Sequence, residues 1–397
     1  MLLEITDLSN SGSGISRLED GRLVFVQGAL PGDVVTATLV SQKSDYATAT
    51  TLEVVKPSPD RVESVCPFSS SCGGCSLICM SYQAQLAYKQ KQFETEIHRV
   101  DPSVRVEEPV SGPPLHYRSR ARFRYLLKDG KPSLSFFEQA SNNSIPITSC
   151  AIADNELNSF IANPPKLNVW ELKDAQLSCI TTDNGVLYDD SVGKITINAA
   201  QRTCTLYVSN SVFFQSNLVL LPKLIDKVVA NVQGKEVMDL YSGVGTFSAF
   251  VEDKCHVTAV ELNKNCLALA KRHLKNTTFF TSPVEKWKPS VSHVDTIIVD
   301  PPRTGLDKDV PALITSFNAS TLIYVSCYLP TLTRDLGRLK QLGWKIENAQ
   351  MFDFYPNTPH VETCVLLVRE WKEDVDTVSI KVDLDGLNIR QEKADDT

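Results

Sequence analysis

The chain has 397 residues, 42% of them hydrophobic and 22% charged, which suits a soluble globular protein of two or three domains and excludes a mostly disordered one. Its formal charge is −7, from 40 Lys and Arg against 47 Asp and Glu, so a uniformly basic nucleic-acid coat protein is excluded while a local basic patch is not. Eleven cysteines are too few for a disulfide scaffold, no stretch reaches the ~20 apolar residues of a membrane span, and Met1-Leu2-Leu3-Glu4 does not open a secretory signal. A reducing, cytoplasmic setting is expected, where clustered cysteines bind metal or do chemistry.

Residues 1–56 read as short strands (Val24–Val26, Asp33–Val40 and Ala47–Val55 are the clearest) separated by Gly and Asp turns. Five such strands in this length suggest an OB-like barrel, a fold used to grip oligonucleotides. A linker, Lys56-Pro57-Ser58-Pro59-Asp60, leads to Cys66, Cys72, Gly73, Gly74 and Cys75. Three close cysteines beside Gly-Gly imply a zinc or iron–sulfur site, with Cys79 or Cys150 as the fourth ligand. A helix with Gln- and Lys-rich polar faces is predicted over about 82–100. The run Arg118, Arg120, Arg122, Arg124 places four like charges at spacing two, on one face of a strand, where a phosphate backbone is the natural partner. Residues 57–216 form a mixed central region.

From residue 217 strands and helices alternate, as in a doubly wound parallel sheet whose ligands bind at the carboxyl ends of the strands. Asp239, Glu261, Asp300 and Cys327 fall at four such ends. Helices are predicted after Gly245 and over about 263–275. Two last strands, Trp344–Phe354 and Val361–Val368, are joined too closely for a crossover and form an antiparallel pair. An acidic tail holds at most one more strand, near Val378–Val382.

Gly243 and Gly245 make G-x-G, which lets the backbone approach a ligand closely but lacks the third glycine of a dinucleotide site. Glu261, ending the next strand, is placed to accept hydrogen bonds from two ribose hydroxyls. A ribose without a diphosphate fits S-adenosylmethionine. Asp300-Pro301-Pro302-Arg303 resembles the loop of exocyclic-amine methyltransferases, but Arg303 stands where those have a base-stacking aromatic. Cys327 faces the same cleft. A thiolate there adds to C6 of a pyrimidine, activates C5 for methylation, and leaves when a base removes the C5 proton. Glu362 is the candidate base, His360 the alternative, and Asp300 the group that holds the base edge. A cytosine-C5 enzyme, and a non-catalytic RNA-binding module with a metal knuckle, remain open.

Taken together, these residues resemble the bacterial 23S rRNA (uracil-5-)-methyltransferases that carry an N-terminal TRAM domain and an iron–sulfur cluster. The resemblance implies a Rossmann-like class I methyltransferase domain over 217–397, a TRAM barrel over 1–56 and a central α+β domain over 57–216. It implies a [4Fe–4S] cluster on Cys66, Cys72, Cys75 and Cys150. S-adenosylmethionine contacts fall to Gln215, Tyr241, Gly243, Gly245, Glu261 and Asp300, with Cys327 the nucleophile and Glu362 the base. Ribosomal RNA is the implied substrate, because the related tRNA enzymes, which are the alternative, lack the cluster, and a monomer is expected. Two positions depart from the pattern: Thr246, where Asn is frequent, and Pro283, where an acid or amide usually meets adenine.

Overall fold

The structure is a computed structural model that describes residues 1–128, 130–138, 141, 143–168, 172, 175–289, 293–369, 380–381 and 390–391. Strands β1 (Leu2–Glu4), β2 (Asp7–Leu8), β3 (Gly14–Arg17), β4 (Leu23–Gln27), β5 (Val34–Gln42) and β6 (Tyr46–Lys56) form one sheet in the order β1-β5-β6-β4-β3-β2. Period-two alternation buries Val24, Val26, Val35, Ala37, Ala47 and Ala49 on its inner face. Asp33, wholly buried, accepts bonds from the amides of Leu30 and Ser58 and from the Arg61 guanidinium. It thereby fastens this sheet to the linker that follows.

Helix α1 spans Tyr82–Val100, as the sequence predicts, with the Ser81 hydroxyl capping its first turn. Its polar faces are not all solvated, however. Gln85 and Lys89 share the buried stripe with Phe93 and Ile97 at four-residue spacing. They are tolerated there because partners 264 to 272 residues away satisfy them: Asp353 for Lys89, Asn357 for Gln85.

The central strands β8 (Arg120–Lys128), β9 (Lys131–Phe137), β10 (Ser144–Pro146), β11 (Gln176–Thr182) and β12 (Gly185–Leu187) make an antiparallel sheet in the order β10-β9-β8-β11-β12. Helix α2 (Asn155–Ala162) packs on it, burying Leu157, Phe160 and Ile161. A ribbon, β13 (Gly193–Ala199) with β14 (Arg202–Val208), leads to the last sheet.

That sheet runs β17-β16-β15-β18-β19-β21-β20, with β7 (Arg105–Val106) added at its edge. Strands β15 (Glu236–Leu240), β16 (His256–Glu261), β17 (Thr277–Thr281), β18 (Thr296–Val299) and β19 (Thr321–Ser326) are parallel. Strands β20 (Trp344–Phe352) and β21 (Glu362–Arg369) close it as the predicted antiparallel pair. Helices α3 (Leu221–Ala230), α4 (Ser248–Val251), α5 (Lys264–Ala270), α6 (Val310–Ser316) and α7 (Leu329–Gln341) cover the faces in two apolar cores, one around Ile298 and Ile323 and the other around Ile297 and Tyr324. Helix α5 ends five residues before the predicted boundary at Lys275. There Arg272 and His273 bond back three residues and tighten the chain out of the helix. Strand β17 has no counterpart in the sequence reading. Of the strand expected over Val378–Val382, only Ile380–Lys381 lies within the described residues, where it pairs with Arg390–Gln391. No helix among them is long and apolar enough to cross a membrane.

Candidate active site

The carboxyl ends of β15, β16, β18 and β19 open into one cavity of about 1090 Å³. At its first end, β15 finishes with Leu240 and the backbone enters the left-handed region at Tyr241, with φ 63°. A turn with φ 55° at Gly243 and 79° at Gly245 follows. Nothing stands within 4 Å of where a Gly243 side chain would project, and that glycine lines the cavity. Gly245, expected at the cofactor, does not line it. A Cβ there would fall 2.6 Å from Leu274 Cδ1, so this glycine exists for packing against the turn that follows α5.

Glu261 ends β16, and its carboxylate accepts the amides of Gly243 and Asn263 at 3.0 and 2.7 Å. Two bonds use only part of a carboxylate's acceptor capacity, and Glu261 also faces the cavity. Gln215, Ser242, Tyr241 and Pro283 line the same end. Gln215 Oε1 and Ser242 Oγ are buried without a hydrogen-bond partner. Buried orphans of this kind are rare unless a ligand completes them, and they fit the polar groups of S-adenosylmethionine. Glu285, beside Pro283, also lines this end; the sequence alone did not single it out.

At the other end the catalytic candidates converge. Val299 pairs with Tyr324 in parallel register, which brings Asp300 beside the end of β19. Ser326 pairs with Thr363 in antiparallel register, so the next rung sets Cys327 opposite Glu362. Glu362 is 1% exposed, and its Oε1 has no hydrogen-bond partner. Burial, then the Asp300 carboxyl, raises its pKa well above the usual carboxylate range, against the pull of Arg303. Burial and the Asp239 charge likewise raise Asp300. Burial raises Asp239 to about 7, against the Ser248 hydroxyl. The Cys327 thiol is pushed up to about 12 by burial, Glu362 and Asp300, while Arg303 acts in the opposite direction as both a charge and a donor. The sequence placed Arg303 only as a substitute for an aromatic; the structure sets it against Cys327.

His360 borders the cavity too. Burial, Arg303, Lys89 and Arg118 depress its pKa to about 4, so it is neutral at physiological pH and a weak base for a C–H proton. Glu362 is better placed for that role.

The arginine run alternates as expected, with Ala121, Phe123 and Tyr125 buried on the opposite face. The arginines do not form one solvated face, however. Arg118 precedes β8 and lines the cavity. Arg120 lies over the Phe213 ring at 5.7 Å and reaches the carbonyls of Asn210 and Phe214. Arg124 is partly buried, and only Arg122 is exposed. The strand turns half of its charge inward because this sheet packs beside the catalytic cavity.

Cys66, Cys72, Cys75 and Cys150 come together from two distant segments. Burial raises the thiol of Cys75 to about 12, and Cys150 and Cys72 add to the rise; Cys72 is raised by burial and then by Cys150 and Cys66. Arg118 offsets these charges from the catalytic side. Cys79 instead packs against an apolar cluster of Leu8, Leu30, Leu77 and Met80. Among the described residues, no three His, Cys, Asp or Glu side chains meet the spacing of ligands to a single metal ion.

Residues 1–52 match the family model for the TRAM domain and residues 290–370 the model for tRNA (uracil-5-)-methyltransferase. An RNA methyltransferase of uncharacterized role from Treponema denticola is 31% identical over 88% of this chain and 95% of its own length. The chain belongs to the TRAM-bearing RNA (uracil-5-)-methyltransferases. Another relative of these methyltransferases, the 23S rRNA (uracil(1939)-C(5))-methyltransferase of Methylococcus capsulatus, is 29% identical over 92% of this chain and 96% of its own. The crystal structure of the Pyrococcus abyssi tRNA (uracil-54, C5)-methyltransferase with S-adenosyl-L-homocysteine superposes with a TM-score of 0.70, covering 93% of this chain and 100% of that one at 24% identity. It shows that this enzyme, an RNA methyltransferase like its relatives, has the class I methyltransferase fold.

Proposed function

We propose that this enzyme methylates C5 of a uridine in 23S ribosomal RNA, acting as a monomer. The observation that carries the chemistry is the meeting of Cys327, Glu362 and Asp300 in one cavity, with Cys327 and Glu362 facing each other across an antiparallel pair. Every group the reaction needs comes from one chain.

Uracil C5 is too weak a nucleophile to take a methyl group unaided. Cys327 Sγ passes its proton to Asp300 and adds to C6, and the ring becomes an enolate whose C5 is nucleophilic. Bound S-adenosylmethionine supplies a methyl group on a sulfonium centre. Once C5 is methylated, Glu362 takes the C5 proton, the C5–C6 double bond reforms, and Cys327 departs as a thiolate. Arg303 steadies that thiolate by charge and hydrogen bonding. Asp300, raised toward the neutral form, donates to the uracil edge. Gln215, Tyr241, Gly243 and Glu261 hold the methyl donor. The target nucleotide must leave its stack to enter so deep a site.

The four gathered cysteines fit a [4Fe–4S] cluster better than zinc. Each thiolate of a cluster binds a different iron, so the ligands stand wider apart than the four sulfurs about 2.3 Å from one zinc ion. The amide of Gly74 is directed at Cys72, and that of Ile152 at Cys150, the donors a cluster's sulfurs need. The cluster's part is structural, since the loop that carries it adjoins the catalytic cavity. Ribosomal RNA is favoured by the M. capsulatus relative and by this cysteine quartet.

Mapping 5-methyluridine in RNA from a strain lacking the gene tests the substrate: loss of one site in 23S rRNA supports it, and loss in tRNA overturns it. Cys327→Ala should abolish turnover and any covalent RNA adduct, whereas Glu362→Gln should accumulate the adduct. An active Cys327→Ala enzyme refutes the mechanism. Iron and acid-labile sulfide in anaerobically purified protein, lost on Cys150→Ser, test the cluster; bound zinc refutes it.

A further inference from the structure

The segment Asp353–Thr358 leads into Glu362 and is held at nearly every residue. The Asp353 carboxylate receives Lys89 Nζ at 2.6 Å, an ion pair with no exposure at either side chain. Asn217 donates to the Phe354 carbonyl at 3.0 Å and Tyr117 to the Pro356 carbonyl at 2.9 Å. Asn357, at φ 66°, exchanges bonds with the Gln85 amide and donates to the Pro114 carbonyl. The Tyr355 carbonyl accepts Lys89 Nζ, the Thr358 amide and the Thr358 hydroxyl.

This scaffolding fixes one side chain that the mechanism above leaves unused. The Tyr355 ring packs against Phe354 and stands edge-on to His360. Tyr355 lines the catalytic cavity and the adjoining groove. Tyr355 shares that cavity wall with Glu362, Cys327, Arg118 and Asp300, so its side chain sits among the reacting groups. Its hydroxyl makes no hydrogen bond among the described residues. Burial and the Glu362 charge hold the phenol well above its ordinary pKa, which keeps its proton in place. A rigidly backed, permanently protonated donor without a partner, beside the nucleophile, is what a developing oxyanion needs.

We propose that the Tyr355 hydroxyl is a further catalytic group, donating a hydrogen bond to the C4 carbonyl oxygen of the uracil as thiolate addition turns the ring into an enolate. The inference rests on the thiolate mechanism proposed above. When the Sγ–C6 bond forms, the C5–C6 π electrons move toward C5 and O4. Tyr355 stabilises the charge arriving at O4 without giving up its proton. When Glu362 removes the C5 proton and Sγ leaves, the charge returns to sulfur and the bond to Tyr355 weakens. Lys89 and Asp353 act one step back, as positioning residues that aim the phenol.

Tyr355→Phe in the full-length enzyme removes the hydroxyl and keeps the ring. With ribosomal RNA from the deletion strain as methyl acceptor, kcat should fall roughly ten- to a hundredfold, toward the range seen when one oxyanion donor is lost. The adduct with a 5-fluorouridine transcript of 23S rRNA should form more slowly by a similar factor. S-adenosylmethionine affinity and melting temperature should not change, because the lost group bonds to no protein atom; a drop in either marks a structural role and overturns the assignment. Wild-type kcat in Tyr355→Phe, with Cys327→Ala inactive, overturns the Tyr355 role alone. Turnover by Cys327→Ala overturns the thiolate mechanism and the Tyr355 role with it.

Discussion

Lys89→Met removes the cation of an ion pair that is inaccessible at both ends, while Met keeps most of the side-chain volume. The Asp353 carboxylate then has no cation, and its Oδ2 already lacks a hydrogen-bond partner. Breaking a buried pair from one side costs about 3–5 kcal/mol, mostly because the remaining charge stays desolvated. At ~1.4 kcal/mol per decade that lowers the folding constant by a factor of roughly 140 to 4,000. A second substitution, Asp353→Leu, takes away the stranded charge, and the apolar pair then fills the same volume. The double variant should therefore regain most of the loss, giving a coupling of at least ~2 kcal/mol. Equilibrium urea unfolding followed by tryptophan fluorescence, on wild type, both single variants and the double, measures it. A Lys89→Met cost below ~1 kcal/mol, or a double variant no more stable than the single, would refute the reasoning.

Three other expectations follow from the site. Gly245→Ala meets Leu274 in a left-handed backbone and should lower stability by more than ~1 kcal/mol, whereas Gly243→Ala shares the left-handed strain but meets no atom, so it should cost less stability and also weaken S-adenosylmethionine binding, as calorimetry would show. Burial lifts the Asp239 carboxyl from its ordinary 3.8 to about 7, so its contribution is fully present below pH ~4 and is lost as pH rises to 7. Asp239→Asn should thus raise the urea midpoint at pH 8 and leave it unchanged at pH 4; equal midpoints at pH 8 would count against the burial argument. Arg122, the exposed member of its run, should act as a phosphate contact. Arg122→Ala should lower RNA affinity evenly across sequences and reduce the salt slope by about one, and an unchanged slope would remove it from the interface.

The catalytic half of this molecule was legible because its chemistry follows strand ends. An apolar run stopping at Asp300 or Cys327 announces both a buried parallel strand and the place where a ligand meets it. The TRAM sheet was legible for the related reason that alternation at Val24, Val26, Val35 and Ala37 sets one face inward. What escaped were residues whose role depends on partners far away in sequence. Gln85 and Lys89 look like solvated helix positions until Asn357 and Asp353 are seen across the interior. Thr277–Thr281 has neither a long apolar run nor strict alternation, since as the edge strand it is buried incompletely. Arg118 and Arg122 share a face by spacing, yet one serves the cavity and the other the solvent. Tyr355 carries no motif of its own, and only the cavity wall gives its hydroxyl a purpose.

The opposition of Cys327 and Glu362 across β19 and β21 has a consequence for how RNA gains entry. Cys327 follows the last residue of β19 and Glu362 opens β21, on either side of the Ser326–Thr363 pair that ends their ladder. No hinge separates them, so admission of a nucleotide has to come from movement of the surrounding walls and not from assembly of the catalytic pair. The same ladder makes the pair intolerant of slippage: shifting β21 by a single residue would turn Glu362 to the other face of the sheet, and a chain with every residue present would have lost that carboxyl from its cavity.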